Sequence, residues 1–178
     1  EHLLGRVPVQ VKGTEVSKFQ TKKWKFKLEK EDLKAYLYEP TFFIVCQVKK
    51  DSKERKLFYR ELLPNTIKNL LRDMDKQKSK STLFHLLTED LNEFEGQLLT
   101  FMRNSKKMIS FADLKPFTMQ DAAKKGIKDF SFTAPVASND NMALLKYLTT
   151  HDTYLYAKLD KDLDIEVPID GGPMKFTF

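Results

Sequence analysis

The stretch Pro8 to Glu15, PVQVKGTE, carries the side chains best placed for chemistry. Side chains alternate along an extended chain, so Gln10 and Lys12 project from one face, two residues apart. Val9 and Val11 occupy the other face, where the pattern predicts burial. An acceptor oxygen next to an ammonium on one strand face suits a metal-dependent phosphodiesterase. The Gln10 carbonyl would ligate a divalent cation, and Lys12 would stabilise or help deprotonate the attacking water. Gln10 offers a neutral oxygen, a weaker ligand for magnesium than a carboxylate. Taken alone, Gln10-Val11-Lys12 also describes an ordinary amphipathic sheet edge.

A second set of residues is basic. In Thr21 to Lys30, TKKWKFKLEK, the lysines Lys22, Lys23, Lys25 and Lys27 could hold a phosphate backbone with salt-dependent affinity. The same pattern fits a half-buried strand whose lysine face discourages edge pairing. Trp24 and Phe26 are expected to pack inward. Cys46, inside FFIVCQV with no basic neighbour in sequence, reads as an inert core thiol. His2, His85 and His151 show no zinc-ligand spacing. Asp160, Asp162 and Asp164 resemble the start of a calcium loop, but Ile165 stands where glycine is required and Gly171 where the bidentate glutamate belongs, so a solvated turn is expected. No GxxxxGK[ST], GxGxxG or GxSxG occurs, so nothing supports nucleotide-driven or serine-hydrolase chemistry.

These residues need elements to position them. Arg6 to Lys12 alternates as a strand, Gly13-Thr14 is expected to bend the chain out, and Lys23 to Leu28 forms a second strand. Glu29 to Glu39 reads as a short helix with acidic residues in its first turn and Pro40 at its end. Thr41 to Val48 is apolar on both faces, which predicts a central, covered strand. A charged turn over Lys49 to Lys56 leads to a strand at Leu57 to Arg60. Pro64 opens a helix with an apolar stripe of Ile67, Leu70, Leu71 and Met74. A connector at Lys76 to Lys80, a strand at Thr82 to Leu87 and a long helix at Glu89 to Lys106 follow.

Beyond about Ser110 the pattern becomes that of a small β-rich segment. Thr118 and Asp121 are spaced to cap a short helix ending at Gly126. A strand at Ile127 to Thr133 and a helix capped by Ser138 or Asn139 precede strands at Thr153 to Leu159, Asp164 to Ile169 and Met174 to Phe178. The fold class expected is α/β, a mixed sheet flanked by helices over residues 1–108, followed by an α+β tail at 109–178 that begins a second β-rich unit.

Of 178 residues 41% are apolar, and Cys46 is the single cysteine, which removes disorder and disulfide scaffolds from consideration. No apolar run approaches the length of a membrane helix, so a soluble, cytoplasmic protein is expected. The net charge of +6 is uneven. Residues 1–60 hold 15 Lys and Arg against 8 Asp and Glu, giving +7, and the remainder carries −1. A basic first third suits an anionic partner. The chain opens on Glu1 and closes on what reads as strand interior, and is expected to be an excerpt of a longer polypeptide.

PVQVKGTE, the Lys/aromatic strand, the helix EKEDLKAYL, the strand TFFIVCQV and the strand KLFYRELLP together resemble a bacterial domain family of unknown function. That family is assigned to the restriction-endonuclease-like superfamily with the PD-(D/E)xK motif. The resemblance covers about residues 6 to 108 and centres on QVKGT. It implies a restriction-endonuclease-like core, magnesium-dependent cleavage of DNA and a role in defence against foreign DNA. DNA is the expected partner, with a homodimer as an option for assembly. Gln10 would stand in the (D/E) position as metal ligand, and Lys12 would be the motif lysine. In the superfamily the acidic half of the site lies upstream of this strand, and it is absent from this chain. The alternative is an inactive nuclease-fold module that binds nucleic acid or a protein.

Overall fold

In the computed structural model, which describes residues 5–50, 53–135, 140–150, 153–160, 165–170 and 174, the chain is mixed α/β. A five-stranded sheet is built from β1 (Val9–Val16), β2 (Lys23–Glu29), β3 (Thr41–Lys49), β4 (Arg55–Leu62) and β5 (Ser79–Leu86). Its order is β1-β3-β4-β5-β2, with β1 parallel to β3 and every other pairing antiparallel. Helix α1 (Lys30–Tyr36) joins β2 to β3, α2 (Pro64–Met74) joins β4 to β5, and α3 (Leu91–Ile109) follows β5. Then come α4 (Met119–Lys124), β6 (Phe130–Phe132), α5 (Asn141–Thr150), β7 (Leu155–Asp160) and β8 (Ile165–Pro168), with the last three strands forming a small antiparallel sheet. The strand, strand, helix, strand, strand order expected at the start is the order observed.

The large sheet is strongly curled. In a flat sheet β2 would lie about 14 Å from β3, three strand spacings away. Instead, the Phe26 ring centre on β2 is 6.0 Å from that of Phe43 on β3, and Trp24 is 5.9 Å from Phe58 on β4. The bend sits where β4 meets β5, which pair only at Phe58 with Leu86 and Tyr59 with His85. Where that ladder parts, the Arg60 guanidinium donates to the Leu83 carbonyl.

The concave face buries Leu28, Leu33, Phe43, Val45, Phe58, Ile67 and Phe84 beneath α1 and α2. Pro64 fixes the first turn of α2. The opposite face packs Phe42, Leu63, Phe101 and Met108 with Tyr154, just before β7, and Tyr156 within it. Polar ties join α2 and α3 to the small sheet and its flanks: Thr66 shares a hydrogen bond with the Tyr154 hydroxyl, Asn65 donates to the Ile169 carbonyl, and Tyr156 donates to Asn104. Arg72 pairs with Asp170, and Lys107 with Glu166, which also accepts from Ser131.

Several expectations need correcting. The face of Val9 and Val11 is not buried: the two side chains are 49% and 57% exposed, because β1 is an edge strand that lies beyond the cover of α3. Gly13 makes no bend. It pairs with Cys46 inside a β1 that runs on to Val16. The covered strand β3 loses its cover toward its end, where Cys46 is half-buried and Val48 exposed. Lys80, placed in a connector, lies in β5. Asp140 supplies the cap of α5, accepting from the Ala143 amide. Ser138, Asn139, the Gly171 to Pro173 turn and Lys175 to Phe178 lie outside the described residues, while Met174 bridges Thr153. Thr118 and Asp121 do form the capping box their spacing predicts.

Candidate functional site

The topology explains how a site arises around Gln10 and Lys12. After β1 the chain crosses to the far edge as β2 and passes straight from Glu29 into α1. It then returns to pair β3 alongside β1. Helix α1 therefore lies over the concave face, anchored by Leu33, which is wholly buried. Gln10 and Lys12 project onto that same face, in register with Phe43 and Val45.

There Lys12 meets the Asp32 carboxylate of α1, a partner that sequence spacing does not indicate. Its Nζ lies 3.1 Å from Asp32 Oδ2. The side chains of Lys12 and Asp32 are 41% and 38% exposed, so the pair is open to a ligand from solvent. The ammonium also sits 5.7 Å from the centre of the Phe43 ring, against which Tyr36 packs edge-on. Burial raises the pKa of the Tyr36 hydroxyl, with Asp32 adding to the rise and Lys12 opposing it, which places all three in one electrostatic neighbourhood. The Gln10 amide donates to the Val11 carbonyl at 3.2 Å, and its oxygen accepts from no side chain or amide among the described residues.

In the sequence, the signal for Asp32 is masked by a local role. Glu31 and Asp32 read as first-turn acids favourable to the helix dipole. Asp32 and Tyr36 stand four residues apart and so share one helix face, which indicates a polar stripe beside Leu33 that must look at something.

The lysine run behaves differently. Lys23, Lys25 and Lys27 are exposed and Trp24, Phe26 and Leu28 point inward, as the alternation predicts. Lys27 pairs with Glu29 at 3.4 Å. These lysines project from the opposite face of the sheet and from its other edge, so the structure does not bring Lys22, Lys23, Lys25 and Lys27 to Lys12. Cys46 is half-buried, 4.0 Å from the Gln47 carbonyl. His85 lies beside the Tyr59 ring. His2, His151, Asp162 and Asp164 fall outside the described residues.

A divalent cation could draw on Gln10 and Asp32. Among the described residues no three His, Cys, Asp or Glu side chains converge; Asp32 would offer one carboxylate and Gln10 one amide oxygen. That donor set fits magnesium, which keeps several waters and commonly takes only one or two carboxylates plus substrate phosphates. No helix among the described residues is long and apolar enough to cross a membrane. Comparison of the chain with protein-family models, with curated proteins and with solved structures returned no match.

Proposed function

We propose that the chain is a magnesium-dependent DNA endonuclease domain with a restriction-endonuclease-like core, working through Gln10, Lys12 and Asp32. The observation that supports this is the solvent-open Lys12–Asp32 pair at 3.1 Å on the concave face, beside Gln10. The resemblance around QVKGT supplies the substrate class. Magnesium held by the Asp32 carboxylate and the Gln10 oxygen would polarise a phosphodiester and lower the pKa of bound water. With Asp32 holding the metal, the Lys12 ammonium would be free to stabilise charge on the phosphate or orient the attacking water. Lys22, Lys23, Lys25 and Lys27 hold the DNA backbone away from the reacting bond.

The exposed lysine face of β2 favours a second reading, a nuclease-fold module that binds DNA without cutting it. Supercoiled plasmid incubated with the protein and magnesium separates the two. Nicking that vanishes in EDTA and falls about 100-fold or more in Lys12→Ala supports the enzyme. No nicking by either protein leaves the binding module, and equal nicking by both overturns the role given to Lys12.

A further inference from the structure

On the other side of α1 lies a hollow of about 480 Å³, bounded by Glu29, Lys30, Glu31, Lys34, Lys76 and Lys78. Two of its four lysines belong to α1 and two to the turn between α2 and β5. The turn is held to α1 from both sides: the Lys30 amide donates to the Lys78 carbonyl at 2.8 Å, and Lys30 Nζ donates to the Asp75 carbonyl at 2.5 Å. Asp75 has φ of 29°, and it alone among the described non-glycine residues has a positive φ.

The charges around the hollow do not cancel. Glu31 is taken by Lys34 at 2.8 Å, and Glu29 by Lys27 at 3.4 Å from outside the hollow. That leaves Lys30, Lys76 and Lys78 without a carboxylate among the described residues. Three uncompensated ammonium groups around one concavity attract a compact, multiply charged anion far more than a single carboxylate. The volume admits a phosphoryl group with part of whatever bears it.

We propose that this hollow binds phosphoryl groups, with Lys30, Lys76 and Lys78 as their direct partners. Two sources share that chemistry: the backbone of a nucleic acid and a free polyphosphate or nucleotide. Choosing the backbone rests on the function proposed above, whereas the charge geometry of the hollow does not. The hollow begins at Glu29, where the lysine strand β2 ends, and it shares α1 with the Lys12–Asp32 pair. A backbone following the lysines of β2 therefore reaches the hollow before it reaches Lys12.

The test measures binding in EDTA, so that cleavage plays no part. Affinity of a labelled DNA duplex is followed across salt concentrations for the wild type, the double variant Lys76→Ala/Lys78→Ala, and Glu31→Gln. Acylation of Lys76 and Lys78 is followed by mass spectrometry with duplex or tripolyphosphate present. Loss of two phosphate contacts should make the salt slope shallower by about 2. Glu31→Gln frees Lys34 and should steepen it by about 1, a gain that misfolding cannot mimic. Protection of both lysines by duplex, with these slope changes, supports a nucleic-acid source. Protection by tripolyphosphate alone supports the phosphate site with a free ligand. Protection by neither probe, with unchanged slopes in both variants, overturns the proposal. Absence of nicking in the plasmid assay bears on cleavage and leaves this result standing.

Discussion

If the Lys12–Asp32 pair exists for chemistry rather than for folding, breaking it should cost little stability. The charged atoms are 3.1 Å apart and the side chains are 41% and 38% exposed. At about 4 Å separation two unit charges attract by about 1 kcal/mol in water and about 4 kcal/mol at an effective dielectric of 20. Exposure on this scale lets solvent screen the pair, and exposed pairs measured by double-mutant cycles contribute about 0.2–1 kcal/mol. Lys12 gains about 0.5 kcal/mol more from its position over Phe43. We therefore expect Asp32→Asn to lower the unfolding free energy by about 0.5 kcal/mol and Lys12→Met by about 1 kcal/mol, with a coupling energy below about 1 kcal/mol. Urea unfolding of the wild type, both single variants and the double variant measures this directly. Phe43→Ala, which empties a wholly buried ring position, gives a reference loss of about 3–5 kcal/mol. A coupling energy of about 3 kcal/mol or more would mean that the pair is a dry structural strut rather than an open site.

Two further predictions concern the junction between the sheets. Tyr156 is wholly buried and donates to Asn104 Oδ1 at 2.7 Å, so Tyr156→Phe leaves a buried acceptor unpaired and should cost about 1–3 kcal/mol in urea unfolding; an unchanged midpoint would contradict the bond. Burial raises the pKa of Glu166, but the hydrogen bonds from Lys107 and Ser131 outweigh it and hold the carboxyl below its ordinary value of 4.5. A depressed folded pKa gives stability that is present above the unfolded value and is lost as the pH falls through the folded one. The wild type should thus lose its advantage over Glu166→Gln on acidification below about pH 5, and a difference that stays flat from neutral pH to about pH 3 would refute the linkage.

Local pattern carried much of the architecture. The strict alternation of KWKFKL places its lysines outward and its aromatics inward, and the Thr118 to Asp121 spacing closes a capping box. In both, partners a few residues apart decide the outcome. The exposure of Val9 and Val11 was not legible, because alternation tells which side chains share a face but not whether a helix covers it. Asp32 was missed for a related reason. It reaches Lys12 only because β1 pairs with β3 in parallel and α1 returns across the concave face, a long-range arrangement that no local spacing encodes. The lysine hollow likewise joins α1 to a turn about forty residues later.

The central claim is that Gln10 and Asp32 hold one metal beside Lys12. The magnesium concentration that gives half-maximal single-turnover cleavage of a DNA duplex tests it most directly, compared among the wild type, Gln10→Glu and Asp32→Asn. A carboxylate is the stronger magnesium ligand, so Gln10→Glu should shift the midpoint to lower magnesium and Asp32→Asn to higher magnesium, by about tenfold or more each. Identical midpoints in all three proteins, or cleavage that needs no metal, would contradict it.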